Sequence, residues 1–157
     1  MYNARMKIIF LDIDGVLCTL STHWKTFHPD CVKALKRVLE VTGAKIVLSS
    51  AWRHGFIDWR TEEHCLVDSK NAITVMKELF TECGLPADSI IGKTPFNLSE
   101  HRGKEISLWL EQNSGVKSFV VLDDDSDIDP FQDRFVQTHP DNGMNEENAD
   151  QAISFLT

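Results

Sequence analysis

The chain has 157 residues, of which 42% are hydrophobic and 25% charged, the composition of an ordinary globular protein with one core. Its 16 Lys and Arg against 24 Asp and Glu give a net charge of -8, which argues against a protein that coats nucleic acid with a broad basic face but permits a local basic pocket. The four cysteines lack zinc-ligand spacing, and neither a signal-peptide core nor a membrane-length apolar segment is visible. We therefore expect one cytoplasmic domain over residues 1–157.

Apolar runs that predict strands alternate along the chain with amphipathic stretches that predict helices. The first run, MKIIFL at 6–11, is apolar enough for a strand that is buried on both faces. Further strands are predicted at 45–49, 89–92, 118–122 and 134–137, and helices at 29–42, 71–83, 103–113 and 145–156. This alternation is typical of βαβ units. It predicts a three-layer α/β/α, Rossmann-like fold around a mainly parallel five-stranded sheet.

Three irregular stretches, 16–28, 52–70 and 93–102, each follow a predicted strand. They should therefore lie at the edge of the sheet where the strands have their carboxyl ends, which is where such sheets bind ligands. Each stretch is too short for a separate cap domain, so we expect an open site. Its rim should carry Trp24, Phe27, Trp52, Phe56 and Trp59. The aromatic residues within 52–59 fit two interpretations, stacking on a nucleobase or packing the loop against the domain.

Two carboxylates, Asp12 and Asp14, follow the first predicted strand directly. At a spacing of two they point to the same side of an extended chain. Like charges at that distance raise each other's pKa unless a cation or hydrogen bonds lie between them. A positive partner is therefore expected at this strand end.

More polar residues gather at the other strand ends. Ser49 and Ser50 close the second predicted strand and are followed by Arg53, while Arg102 and Lys104 begin the third helix. The fourth predicted strand is closed by acidic residues: Asp123, Asp124, Asp125 and Asp127. Carboxylates, a hydroxyl and cations at one edge suit phosphoryl transfer. Mg²⁺ binds oxygen ligands and neutralises the charge of the carboxylates, so that an anionic substrate can approach. One carboxylate can then act as nucleophile and a second can transfer the proton.

These residues resemble a known family. The stretch DIDGV at 12–16 is similar to the first motif of the haloacid dehalogenase (HAD) superfamily of phosphatases. Ser49 matches its second motif, a basic residue near 102–104 its third, and Asp123-Asp124 its acidic fourth. The four motifs occur in the order of the family and span nearly the whole chain.

The resemblance implies roles for the residues that carry it. Asp12 would be the nucleophile and Asp14 the general acid and base. Mg²⁺ would be bound by Asp12, by the backbone carbonyl of Asp14, and by Asp123 with or without Asp124.

A narrower resemblance concerns the small HAD domains associated with RNA-repair proteins. It rests on the stretches LSSAWR (48–53), RGKEISLWL (102–110), VLDDDSDI (121–128) and THPDNGMNEENADQAISFL (138–156). The layout is also similar to the phosphatase half of polynucleotide kinases, which implies Arg53 as a phosphate ligand. Arg102 fits the third motif of the narrower family, whereas Lys104 is the residue type of the wider superfamily. Two positions apart on a helix, the two side chains cannot share a face.

The sequence thus predicts a Mg²⁺-dependent phosphatase that works through an aspartyl-phosphate on Asp12. A polynucleotide end or another bulky phosphoester fits the open site and the narrower resemblance, whereas the net charge favours a smaller ester. Two further functions are open, a catalytically silent module that binds phosphate or a partner, and a signalling receiver domain. The acidic residues Asp123 to Asp125 argue against the receiver domain, because in that domain no acidic cluster follows its lysine.

Overall fold

The computed structural model describes residues 5–60, 62–96 and 101–157. Its strands are β1 (Met6–Leu11), β2 (Lys45–Leu48), β3 (Gly55–Ile57), β4 (Leu66–Asp68), β5 (Ile90–Lys93), β6 (Val116–Asp123) and β7 (Phe135–Gln137). Its helices are α1 (Pro29–Thr42), α2 (Ala72–Glu82), α3 (Arg102–Gln112) and α4 (Glu146–Leu156). The five predicted strands and the four predicted helices are confirmed, with bounds that differ by at most two residues.

Five strands form the main sheet in the order β5-β2-β1-β6-β7, and each neighbouring pair is parallel. The predicted α/β fold with a parallel five-stranded sheet flanked by helices is therefore confirmed. Parallel pairing brings the carboxyl ends of all five strands to one side, which we call the carboxyl edge. β1 is the central strand, so whatever follows Leu11 lies in the middle of that edge.

The core lies on both faces of this sheet. Ile8, Ile9, Phe10 and Leu11 of β1 have no exposed surface, as expected for a strand covered on two sides. Successive side chains point to opposite faces, so Ile9 and Leu11 pack with α1, α2 and α4, whereas Ile8 and Phe10 pack with α3. This burial holds β1, and therefore the residues after it, in a rigid position.

The last helix begins where the sequence predicts. The Asn145 side chain accepts a hydrogen bond from the Asn148 backbone, and the Asn148 side chain accepts one from the Asn145 backbone. This reciprocal cap satisfies backbone donors that the first helical turn leaves without partners. The predicted cap at Asn145 is confirmed.

The interpretation of 52–70 as wholly irregular is wrong, because it contains β3 and β4, which pair as an antiparallel hairpin. β3 and β4 have three residues each and pair with each other outside the main sheet, so the alternation of strands and helices along the chain does not reveal them. Trp52 and Phe56 are buried, with their rings stacked 4.6 Å apart, so these two aromatic residues pack the segment against the domain. Of the predicted irregular stretch 93–102, residues 97–100 lie outside the described residues.

Within the described part of the chain, no helix is both long enough and apolar enough to cross a membrane.

Candidate active site

The centre of the carboxyl edge is occupied by Asp12 and Asp14. The Asp12 backbone N–H donates to the Leu122 carbonyl at 3.0 Å, which extends the pairing of β1 and β6 by one residue, and the side chain is almost fully buried. Gly15 then turns the chain away with a φ of +82°, a conformation that residues with a side chain rarely adopt. A Cβ at Gly15 would also overlap the Asp124 carboxylate. Gly15 therefore permits both the turn and the approach of Asp124.

Three carboxylates converge at the ends of β1 and β6. Asp12, Asp123 and Asp124 each offer an oxygen, and these atoms all lie within 4.8 Å of one another. Asp123 is completely buried, and its Oδ1 accepts a hydrogen bond from the Asp125 backbone at 3.0 Å. The structure therefore brings together the acidic groups that the two separate motifs predict.

Arg102 is the cation that reaches this cluster. Its Nη1 lies 2.7 Å from Asp123 Oδ2 and 3.6 Å from Asp12 Oδ1. Gly103 allows this approach, because a Cβ there would overlap the backbone of Ile128 and Asp129. The first turn of α3 is thereby packed directly against the loop after β6, with Arg102 facing the carboxylates.

Lys104 points elsewhere. Its side chain is exposed and borders a separate cavity together with His101, Ser107 and Asp129. Of the two candidate cations for the third motif, only Arg102 contacts the acidic residues within the described part of the chain.

Asp12 and Asp14 hold protons more tightly than free carboxyl groups do, since the pKa of each is raised. Burial, and then repulsion from Asp123, raises the pKa of Asp12 well above its ordinary value, although Arg102 opposes the rise. Burial also raises the pKa of Asp14, opposed by the Trp52 side chain. A cation between Asp12 and Asp123 would reverse this effect by favouring their charged forms.

Ser49 and Arg53 flank the carboxylates at the end of β2. Both are buried, and the Ser49 backbone N–H donates to the Leu11 carbonyl at 2.9 Å, which places it beside Asp12. Arg53 donates from Nη1 to the Ser50 carbonyl at 2.7 Å and from Nη2 to Glu105 Oε2 at 2.5 Å. Two hydrogen bonds from two nitrogens fix the plane of its guanidinium.

Three buried polar atoms at this edge have no hydrogen-bond partner among the described residues. They are Asp14 Oδ1, Ser49 Oγ and Arg53 Nε. A buried polar atom without a partner costs about 1–3 kcal/mol, so such atoms are rare unless a ligand, ion or water satisfies them. Their concentration around Asp12 indicates a place where a polar ligand binds.

Two buried polar residues beside the site were not singled out from the sequence. Glu105 pairs with Arg53, and no local signal reveals it, because its partner is more than 50 positions away in the chain. Thr138 donates from Oγ1 to the Gly15 carbonyl at 2.6 Å and from its backbone to the Asp123 carbonyl at 3.0 Å. Its position just after β7, on the same edge, is a signal that could have revealed it.

The donor set fits a hard divalent cation. Asp12, Asp123 and Asp124 supply three carboxylates within reach of one point, and oxygen ligands of this kind suit Mg²⁺. Burial, and then repulsion from Asp123, raises the pKa of Asp12 although Arg102 opposes the rise, and a divalent cation among these groups would favour their charged forms. The arrangement is compatible with metal binding.

The chain was compared with protein families, curated proteins and solved structures. Residues 8–149 match the family model described as "HAD domain in Swiss Army Knife RNA repair proteins". Neither the curated proteins nor the solved structures gave a match. The family suggests a phosphatase-type function, and its match confirms the resemblance to small HAD domains of RNA-repair proteins. The chain belongs to the family of HAD domains found in Swiss Army Knife RNA repair proteins.

Proposed function

We propose that residues 1–157 form one HAD-like hydrolase domain, a Mg²⁺-dependent phosphatase that works through an aspartyl-phosphate on Asp12. The observation that carries the proposal is the convergence of three carboxylates beside buried polar atoms of Asp14 and Ser49 that have no hydrogen-bond partner in the described part of the chain. Membership of the HAD family supports the same reaction class. The four free cysteines are consistent with the reducing cytoplasm.

The metal would be held by Asp12 and Asp123, with Asp124 and the Asp14 backbone carbonyl as further ligands. When bound, Mg²⁺ supplies positive charge that neutralises the acidic cluster and polarises a phosphoryl oxygen. Asp12 has to be ionised to attack, which its burial and the neighbouring Asp123 oppose and Arg102 favours.

In the first half-reaction, a carboxylate oxygen of Asp12 attacks phosphorus, and the bond from phosphorus to the ester oxygen breaks. Asp14 donates its proton to the departing oxygen, a role that its raised pKa supports. In the second half-reaction, Asp14 removes a proton from water, whose oxygen attacks phosphorus. The bond between phosphorus and Asp12 then breaks, which releases phosphate and restores both carboxyl groups.

The remaining polar groups would hold the phosphoryl oxygens. The Ser49 hydroxyl has no partner in the described residues and is free to donate to one of them. Arg53 presents a buried Nε that has no partner among the residues described, and its guanidinium is already oriented by Glu105. Arg102 lies against Asp12 and can share its charge with the phosphoryl group.

The substrate that we propose is a phosphorylated polynucleotide end. The family consists of domains from RNA-repair proteins, and the described part of the segment 52–70 contains a short hairpin rather than a folded cap. An open site of this kind admits a bulky chain. A small-metabolite ester is the alternative within the same reaction class.

A catalytically silent phosphate-binding module is a second candidate, favoured by one observation. Arg102 Nη1 lies 2.7 Å from Asp123 Oδ2, so a guanidinium already neutralises part of the acidic cluster. In such a module phosphate would bind without Mg²⁺ and without turnover.

The test compares hydrolysis of p-nitrophenyl phosphate, nucleoside monophosphates, and oligonucleotides phosphorylated at the 3′ or 5′ end, each with Mg²⁺ and with a chelator. We expect Mg²⁺-dependent release of phosphate that is lost in Asp12→Asn. Turnover that persists unchanged in Asp12→Asn would refute the nucleophile assignment. Phosphate binding without turnover on any substrate would favour the silent module.

A further inference from the structure

A second cavity lies next to the acidic site along the carboxyl edge. β5 is the neighbour of β2, and the Thr94 backbone N–H donates to the Leu48 carbonyl at 2.9 Å, so the residues after β5 lie beside Ser49. The cavity has a volume of about 380 Å³. Its walls include Arg53, which also borders the acidic site.

The charge of this cavity is opposite to that of the whole chain. Its described lining contains Lys93 and Arg53 but no Asp or Glu, although the chain has 24 acidic residues against 16 Lys and Arg. Because Arg53 is paired with buried Glu105, the positive charge that faces the cavity is chiefly that of Lys93. By contrast, the aromatic pocket beneath the hairpin is lined by Asp58 and Glu82 together with Lys25 and Arg60. A local basic cavity in an acidic protein is complementary to an anion that continues beyond the phosphate-binding position.

Lys93 is held at the junction of the two sites. Its Nζ donates to the Ser69 carbonyl at 3.0 Å and to the Arg53 carbonyl at 3.4 Å. An ammonium has three donors, so one N–H is available for a ligand after these two contacts. The positive charge is thus fixed directly beside Arg53.

An exposed aromatic ring completes the cavity. Phe96 has 57% of its surface exposed, and its ring meets the His54 ring edge to face, with centroids 5.3 Å apart. Trp52 and Phe56, in contrast, are buried in the packing of the hairpin. Phe96 is thus an exposed aromatic residue that lines the same cavity as Lys93, and aromatic rings combined with cations bind single-stranded nucleic acid by base stacking and charge.

We propose that this cavity binds the nucleotide next to the phosphorylated end of a single strand, with Lys93 on the internucleotide phosphate and Phe96 stacked on the base. The proposal rests on the proposed phosphatase function, since it takes the terminal phosphate to lie at Asp12. It also narrows the substrate class, because a small-metabolite ester would leave this cavity unused.

The test measures binding of a fluorescent single-stranded tetranucleotide, phosphorylated at its unlabelled end, to Asp12→Asn protein, in which turnover is blocked. Lys93→Gln and Phe96→Ala are added to this background, and each should weaken binding about tenfold. Lys93→Gln should also reduce the slope of log affinity against log salt by about 0.7, the value for one phosphate contact on a single strand. Phe96→Tyr should retain the affinity, because it keeps the aromatic face.

Matched controls come from α1, away from the carboxyl edge. Lys36→Gln removes the same charge, and Val41→Ala truncates a side chain that is 59% exposed, close to the exposure of Phe96. Both should bind the tetranucleotide within twofold of the parent. Absence of binding by the parent, or equal losses in the cavity variants and the controls, would overturn the proposal.

Hydrolysis of p-nitrophenyl phosphate by the unmodified protein separates this proposal from the proposed function. Turnover without tetranucleotide binding would leave the phosphatase in place and refute the strand-binding cavity. Tetranucleotide binding that depends on Lys93 and Phe96 without any turnover would support the cavity and refute the phosphatase.

Discussion

Gly15 and Gly43 allow two consequences of replacing a glycine, backbone strain and steric overlap of the new Cβ, to be measured separately. Both have positive φ, +82° and +68°. A Cβ at Gly43 would meet nothing within 4 Å, whereas a Cβ at Gly15 would overlap the Asp124 carboxylate. The cost of backbone conformation can therefore be measured at Gly43, and the additional cost of displacing a site carboxylate at Gly15.

We predict that Gly15→Ala abolishes the increase in melting temperature that Mg²⁺ produces, whereas Gly43→Ala retains it. Both variants should lose about 1 kcal/mol or more of stability from the positive φ, and Gly15→Ala should lose more because Asp124 must move. Thermal unfolding with and without Mg²⁺, at constant ionic strength, provides the measurement. Equal Mg²⁺ responses of the two variants would show that Asp124 does not depend on Gly15.

Glu105 and Arg53 form an ion pair whose side chains are only 4% and 3% exposed. Removing one partner leaves a buried charge without compensation, which typically costs about 3–5 kcal/mol. The pair Arg37 and Glu146, on the surface, offers a comparison because its side chains are 37% and 56% exposed. Exposed pairs contribute about 0–1 kcal/mol.

We expect Glu105→Ala to lower the free energy of unfolding by about 3 kcal/mol and to weaken inorganic phosphate binding, because Arg53 loses its orienting partner. Glu105→Gln, which keeps a hydrogen-bond acceptor, should preserve more of the phosphate affinity. Urea unfolding and calorimetric titration with phosphate give the two values, and Glu146→Ala serves as the exposed control. A loss no larger than that of Glu146→Ala would contradict the assignment of Glu105 as a positioning residue for Arg53.

The start of α3 is packed directly against the loop after β6. Its first turn contains Gly103, whose backbone N–H donates to the Asp127 carbonyl at 3.2 Å, and whose missing Cβ allows contact with the backbone of Asp129. This contact sets the rotation of the helix, so that Arg102 faces the carboxylates and Lys104 faces solvent.

Gly103→Ala should therefore shift the start of α3 outward, weaken the contact between Arg102 and Asp123, and reduce stability by about 1–3 kcal/mol through overpacking. Gly92→Ala is the control, because a Cβ there makes only an ordinary 3.8 Å contact with Trp109. Urea unfolding and phosphate affinity of both variants test the prediction. If Gly103→Ala behaves like Gly92→Ala, the close packing of α3 does not position Arg102.

Some of these elements could be predicted from the sequence and others could not. The strands of the main sheet were predictable from short apolar runs that alternate along the chain with amphipathic helical stretches, and their carboxyl edge follows from parallel pairing. The hairpin β3–β4 was not, because its two strands pair with each other outside the main sheet and take no part in that alternation. The sequence left Arg102 and Lys104 as alternatives, because which of them faces the site depends on the tertiary contact at Gly103.

Across the whole molecule, a net charge of -8 coexists with two sites of opposite polarity on one edge. The three carboxylates around Asp12 are suited to a divalent cation, and the cavity containing Lys93 and Arg53 is suited to an anionic chain. The overall charge of a protein therefore says little about a substrate whose contacts are confined to one edge of a sheet.

The proposed phosphoryl group on Asp12 can be trapped and located in the chain. Asp14→Asn protein is mixed with p-nitrophenyl phosphate, whose leaving group needs little acid assistance, and quenched in acid for peptide mass spectrometry. Without Asp14 to activate water, the intermediate should accumulate. We predict one phosphoryl group on the peptide that contains Asp12, dependent on Mg²⁺ and absent from the double variant with Asp12→Asn. Phosphorylation that persists in the double variant, or hydrolysis by Asp12→Asn protein at the wild-type rate, would contradict the role of Asp12 as the nucleophile.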